Sequence, residues 1–305
     1  MSGHLSWLEA SVVGMMQGVA ELFPVSSLGH SVLLPAIIGG SWQHDLDVRS
    51  PESPYLAFIV GLHVATAIAL IIYFWRDWVR IVRGLVTSIR HRRIRSSDER
   101  LAWLLVLATI PVGLSGLLLE HAFRTTLARP TPTALFLVLN GLVLLLADHR
   151  RRRHERQAIP AAAGAAVTEP AGAEQSDARL ARLSVRRAVL IGAAQVAALA
   201  PGISRSGITM AAGLRGGLDN EDAARFSFLL ATPVILAAGA LKLPDLSGPL
   251  GDGIRGQVLL GSVLSGVGAY LSVRFLSRYF RSHSLRPFAV YCLIAGTAAV
   301  VLVNR

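Results

Sequence analysis

Residues 17–30 read Gln17-Gly-Val-Ala-Glu21-Leu-Phe-Pro24-Val-Ser26-Ser27-Leu-Gly29-His30. The run is apolar at both ends and carries ionisable, hydroxyl and turn-forming residues in between. Gln17 and Glu21 are four apart and share one helix face. Pro24 ends or kinks that helix and leaves Val25 to His30 as a turn. A second stretch has the same character: Pro201-Gly202-Ile-Ser204-Arg205-Ser206-Gly207-Ile-Thr209. Burying such clusters against lipid is costly, so in an apolar chain they line a cavity or a pathway.

The chain around them is apolar. Hydrophobic residues make up 52% and charged residues 16%, and mean hydropathy is +0.51. A soluble domain carries about a quarter charged residues. The apolar residues also fall in long runs, which excludes a water-soluble enzyme and points to a polytopic membrane protein. The net charge of +11 sits in loops between apolar spans, the pattern that sets membrane orientation, so no nucleic-acid partner is expected. The one cysteine, Cys292, leaves no disulfide framework and no thiolate metal site within the chain. Met1-Ser-Gly-His lacks a basic leader and the first apolar stretch holds Glu9, Gln17 and Glu21, so no cleaved signal peptide is expected.

A transmembrane helix needs about 20 apolar residues. Segments 56–75, 101–119, 133–147, 226–243, 256–273 and 287–303 qualify. Two further stretches, 6–40 and 188–214, are interrupted and contain the motifs. Loops 76–100, 148–187 and 274–286 are rich in Arg and are assigned to the cytoplasm. Loops 41–55, 120–132 and 244–255 are poorer in Arg, and the first and last hold Asp45, Asp47, Glu52, Asp245 and Asp252. The sides alternate only if both broken stretches enter and leave on one side, with both termini outside. The expected fold is therefore all-α: a polytopic membrane protein with inverted repeats, about six transmembrane helices and two re-entrant helical hairpins. Residues 1–147 form the first repeat, 148–187 a cytoplasmic linker and 188–305 the second, inverted repeat. Gln17…Pro24-Val-Ser26 is weakly echoed by Gln195…Pro201-Gly-Ile-Ser204. Residues 154–182, rich in Ala, Gly, Pro and Glu, are expected to be a flexible loop. Arg150–Arg153 suits topology and lipid-headgroup contact.

Each motif has a plainer alternative. Ser26, Ser27 and His30 offer a hydroxyl nucleophile and a base within about one turn; alternatively the serines bond a helix carbonyl and His30 caps. Gly29 permits close backbone approach. Ser204, Arg205 and Ser206 at a helix start after the Pro201-Gly202 turn, with Thr209 beyond, suit a phosphate. Arg205 could instead snorkel to headgroups, or serve an anion-transport site. His63 and Thr66 line the same cavity or bond across helices. Trp75 and Trp78 suit an aromatic belt, and Arg76-Asp77 and Asp219-Asn-Glu-Asp222 suit interfacial helix starts.

At this level the sequence resembles the undecaprenyl-diphosphate phosphatase family, also called bacitracin-resistance proteins, over nearly its whole length. The family's first motif, Glu or Gln, three residues, then Glu, reads Gln17…Glu21 and runs on through His30. Its second, Pro-Gly-x-Ser-Arg-Ser-x-x-Thr, reads Pro201 to Thr209. Leu62-His63…Thr66…Tyr73-Phe-Trp-Arg-Asp77 and Arg225 to Pro233 also look like family segments. The resemblance implies a hydrolase that converts undecaprenyl diphosphate to undecaprenyl phosphate and phosphate, recycling the carrier lipid for peptidoglycan synthesis and giving bacitracin resistance. It implies a multi-pass protein of the bacterial inner membrane with its site open to the extracytoplasmic side. Glu21, Ser27, His30 and Arg205 are the expected catalytic residues, with Ser27 or a water attacking and His30 and Glu21 as the acid/base pair. Gln17, Ser26, Gly202, Ser204, Ser206 and Thr209 are expected to bind substrate. Mg2+ or Ca2+ is the implied cofactor, with Glu21 and Gln17 as ligands. Partners are a polyprenyl diphosphate and membrane lipids, with a homodimer left open. Position 17 is Gln where many members carry Glu, so one carboxylate is lost, and the 148–187 insert is long for the family. The competing reading is a transporter that flips undecaprenyl phosphate, since broken helices in inverted repeats suit one. The other large family of membrane lipid-phosphate phosphatases needs a His after Ser204-Arg205 that this chain lacks.

Overall fold

The computed structural model describes residues 5–47, 54–158, 173–247 and 253–305. Within them every regular element is helical: α1 Trp7–Ala20, α2 Ser27–Ile38, α3 Gly40–Asp45, α4 Pro54–Tyr73, α5 Trp75–His91, α6 Ser97–Leu127, α7 Pro130–Ala158, α8 Ala173–Ala181, α9 Val185–Ala194, α10 Arg205–Arg215, α11 Asn220–Ser247, α12 Arg255–Tyr279 and α13 Arg286–Val303. A 3-10 turn, Gln195–Leu199, joins α9 to the stretch before α10.

Five of these, α6, α7, α11, α12 and α13, contain spans long and apolar enough to cross a membrane. The pair α4 and α5 meets the same criterion of length and apolarity only when taken together, and it is bent by 87° at its break. Side chains such as Leu118, 80% exposed, and Ile294, 66% exposed, face outward. Polar residues such as Gln17, Thr66, Asn140 and Thr209 are buried. That inside-out distribution is what a lipid solvent selects. The chain is an integral membrane protein.

The interrupted stretches fold as the turn residues dictate. In the first, α1 ends at Ala20 and α2 begins at Ser27, with Pro24 in the break. Ser26 caps α2 from a left-handed backbone (φ 69°), its hydroxyl accepting the Gly29 N–H at 3.1 Å. In the second, the break after α9 passes through Gly202 (φ 107°) to Ser204, which caps α10 by accepting the Gly207 N–H at 3.1 Å. Both broken segments lie against long helices of the opposite half, α1 on α12 and α9 on α6. The contact needs small residues: a Cβ on Gly192 of α9 would overlap the Ala108 carbonyl of α6, and one on Gly18 of α1 the Ser265 carbonyl of α12. Helix α7 pairs with α13, and α4 packs on α12 and α11.

The expected linker is where the structure differs most. Helix α7 continues to Ala158, and residues 173–181 form α8 rather than a loose loop. Residues 159–172 of that expectation lie outside the described residues. Asp177 of α8 is buried and accepts from Arg225 at 2.7 Å and from Arg80 at 2.7 Å. Arg179 reaches Asp222 at 2.6 Å, and Leu180 and Ala181 join the main core. The physical reason is that α8 is held by charges on α5 and α11, which a local reading of Ala, Gly, Pro and Glu content does not register.

Candidate active site

The two broken segments meet at Glu21. Its Oε2 accepts hydrogen bonds from Gln17 Nε2 at 2.9 Å and Ser27 Oγ at 2.6 Å. His63 Nε2 lies 3.4 Å from the same oxygen. Arg205 Nη2 donates to the other oxygen, Oε1, at 2.8 Å. One carboxylate thus gathers α1, the first residue of α2, the middle of α4 and the first residue of α10. Gln17, Glu21 and Ser27 are buried, while the side chains of Arg205 and His63 are 15% and 29% exposed and mark the open side. Two buried polar atoms here have no partner: Gln17 Oε1 and Arg205 Nη1. A buried donor or acceptor left unpaired is costly. An anion at Arg205 Nη1 and a donor or cation at Gln17 Oε1 would satisfy both.

Around this centre a ring of bonds pins the two turns to each other. Ser26 Oγ accepts the Gly202 N–H at 3.2 Å. Asn140 of α7 donates to the Pro24 carbonyl at 3.0 Å and accepts the Ser204 N–H at 3.0 Å. Ser206 Oγ donates to the Phe23 carbonyl at 3.2 Å and lies 3.0 Å from Ser204 Oγ. Thr209 Oγ1 donates to the Arg205 carbonyl at 2.7 Å, within its own helix. Gly202 has no room for a side chain, since a Cβ there would overlap the Thr133 carbonyl and stand 2.7 Å from Phe136 Cβ.

The structure therefore divides the expected residues. Gln17, Glu21, Ser27 and Arg205 come together with their working atoms facing one another. Ser26, Ser204, Ser206, Thr209 and Gly202 surround them, with hydroxyls and backbone already bonded into the turns. His30 stands apart. Its Nδ1 meets the Ser26 carbonyl at 2.7 Å and its Nε2 meets the Tyr291 hydroxyl of α13 at 2.7 Å. The expected pairing of His30 with Glu21 is not formed, and His63 occupies that place. The reason is local: four residues after Ser26, His30 falls under that carbonyl on the first turn of α2, and Tyr291 holds the other nitrogen. Asn140, which no expectation included, is the main tie between the turns. Its only sequence signal is an amide in the middle of an apolar span.

As a metal site the cluster is sparse. Among the described residues no three His, Cys, Asp or Glu side chains are grouped to hold an ion. Both Glu21 oxygens are engaged, and Gln17 Oε1 is the free oxygen. This donor set fits a cation that a phosphorylated substrate brings with it, not a cage made by the protein alone.

Comparison with known proteins gives one consistent result. The family described as "Bacitracin resistance protein BacA" matches residues 10–298. The chain is 63% identical to the "Undecaprenyl-diphosphatase" of Mycolicibacterium paratuberculosis, over 99% of this chain and 98% of that protein. It is 51% identical to "Undecaprenyl-diphosphatase 1" of Frankia casuarinae, over 97% of this chain and 98% of that one. It is 42% identical to "Undecaprenyl-diphosphatase 2" of Chromobacterium violaceum, over 96% and 98%. With the two motifs joined at one carboxylate and a family match covering nearly every helix, the chain belongs to the bacitracin resistance protein BacA family.

Proposed function

We propose that the chain is an undecaprenyl-diphosphatase, a membrane hydrolase that removes the terminal phosphate of undecaprenyl diphosphate and so returns the carrier lipid to cell-wall synthesis. The observation that carries this reading is the contact of Ser27 Oγ with Glu21 at 2.6 Å, beside an Arg205 whose Nη1 is free. The curated relatives carry the name of that activity over full length.

Arg205 takes the terminal phosphate on Nη1 and stabilises charge as the transition state forms. Ser27 Oγ attacks phosphorus in line, its proton passing to Glu21 as the bond to the bridging oxygen breaks and undecaprenyl phosphate leaves. Water then cleaves the phosphoserine and releases phosphate. His63 is the second proton carrier. Its Nδ1 faces the Ile59 carbonyl at 2.9 Å and must donate there. Nε2 therefore carries a proton only in the imidazolium, the form that suits the carboxylate in front of it. His30 steadies the Ser26 turn from the rim. Mg2+ or Ca2+ carried by the diphosphate would neutralise its charge, and Gln17 Oε1 and Glu21 are the oxygens that would hold it.

We assign the opening of the site to the extracytoplasmic side of the bacterial cell membrane, as the family resemblance implies, with the Arg-rich loops on the cytoplasmic side. The pairing of α1 with α12 and α9 with α6 supports two inverted repeats, since exchanging the halves exchanges one contact for the other.

The test is phosphate release from undecaprenyl diphosphate by the detergent-purified chain, beside Arg205→Ala, Ser27→Ala and a chelator arm. Release that Arg205→Ala abolishes is the expected result. Full turnover by Ser27→Ala would make water the nucleophile. No release by folded protein supplied with metal would sink the proposal.

A further inference from the structure

The last two turns of α12 and the loop beyond carry a groove that catalysis does not use. It encloses about 420 Å³ between Leu271, Arg274, Phe275, Arg278, Tyr279 and His283. Its floor is aromatic: Phe275 stacks on Tyr279 at 5.6 Å and Tyr279 on His283 at 4.6 Å between ring centroids. Arg274 and Arg278 lie one turn apart on its edge, both exposed. Neither guanidinium has an acidic partner among the described residues, and the acids near this end are taken: Asp148 by Arg152 at 2.8 Å and Glu221 by Arg281 at 3.4 Å. Leu271 and Phe275 continue the groove as exposed apolar surface along the span.

Two free arginines above an apolar, aromatic floor, at the end of a transmembrane helix, complement a lipid with an anionic head and apolar tails. We infer that this groove binds the phosphodiester headgroup of an anionic phospholipid, with the first carbons of its chains on Leu271 and Phe275. The occupant is a lipid of the surrounding bilayer because the groove opens sideways along exposed apolar residues. A seated lipid would also lean on the site: Phe275 stacks on Phe23 at 6.0 Å, and the Phe23 carbonyl accepts the Ser206 hydroxyl. The groove does not depend on the activity proposed above.

Native mass spectrometry of the full chain, with dioleoylphosphatidylglycerol or dioleoylphosphatidylcholine added to the micelle, tests this. The wild type should retain phosphatidylglycerol in preference to phosphatidylcholine. Arg274→Gln with Arg278→Gln should weaken that retention about 30-fold, from about 1 kcal/mol per arginine. Arg274→Lys with Arg278→Lys keeps the charge and should keep most of the binding, which covers the case of a glutamine pair that folds poorly. Arg90→Gln with Arg93→Gln, exposed at the end of α5 and in the turn after it, neither of them lining the groove, should change nothing. Unchanged retention in the groove variant, equal loss in the α5 variant, or no preference between the two lipids would overturn the inference. So would displacement of phosphatidylglycerol by an equimolar amount of undecaprenyl phosphate, which would give the groove to the prenyl lipid.

Discussion

Glu21 is the residue on which the others converge, and its two oxygens do different work. One holds Arg205; the other is shared by Gln17, Ser27 and His63. Glu21→Gln keeps the shape and loses the base, so turnover should fall about 100- to 10,000-fold with the fold intact, read as phosphate release. Arg205→Lys keeps a charge but loses the fork that serves Glu21 and phosphate together, and kcat should fall about 100-fold. The two histidines should separate by their pH signatures. His63→Gln should lower kcat about 100-fold and remove one limb of its pH profile. His30→Gln should keep the profile's shape, since an amide can still bond the Tyr291 hydroxyl. If His30→Gln removes the limb and His63→Gln does not, the proton carrier has been misassigned.

At the scale of elements, α8 is a clamp between the halves of the chain. Asp177 joins Arg80 of α5 to Arg225 of α11, and Arg225 lies 5.4 Å over the Phe74 ring at the α4–α5 bend. Asp177→Ala leaves the partly buried Arg225 with Asp77 as its remaining acidic partner and should cost about 1–3 kcal/mol, seen as a lower unfolding midpoint in detergent. Gly192→Leu should prevent α9 from closing on α6 and lower the folded yield. These elements differ in how far the sequence disclosed them. The spans and both interrupted segments were legible because apolar run length, Pro24 and Pro201-Gly202 are local signals. The meeting of Glu21 with Arg205 followed from reading both motifs as halves of one cavity. Helix α8 and Asn140 were not legible, and His63 was read as lining the cavity but not as the partner of Glu21. Each acts through partners far along the chain, such as the Ser204 N–H, 64 residues from Asn140, and no local pattern encodes such pairings.

For the whole molecule, the assignment of sides is open to direct measurement. The sole cysteine, Cys292, is buried, so the natural chain gives little background to a membrane-impermeant thiol reagent. Arg93→Cys should react only in inverted vesicles and Thr126→Cys only in right-side-out ones; the reverse pattern would turn the protein over in the membrane. The bond between Glu21 and Arg205 also has a consequence for how the chain is made. Its ends are 184 residues apart. At about 5–20 residues per second, roughly 10 to 40 s of synthesis separate the two. During that interval the first half waits in the bilayer with His63 facing Glu21 and without the guanidinium of Arg205. Until the second half arrives, Gln17, Ser27 and His63 are the partners of Glu21, and Arg205 is the last to join.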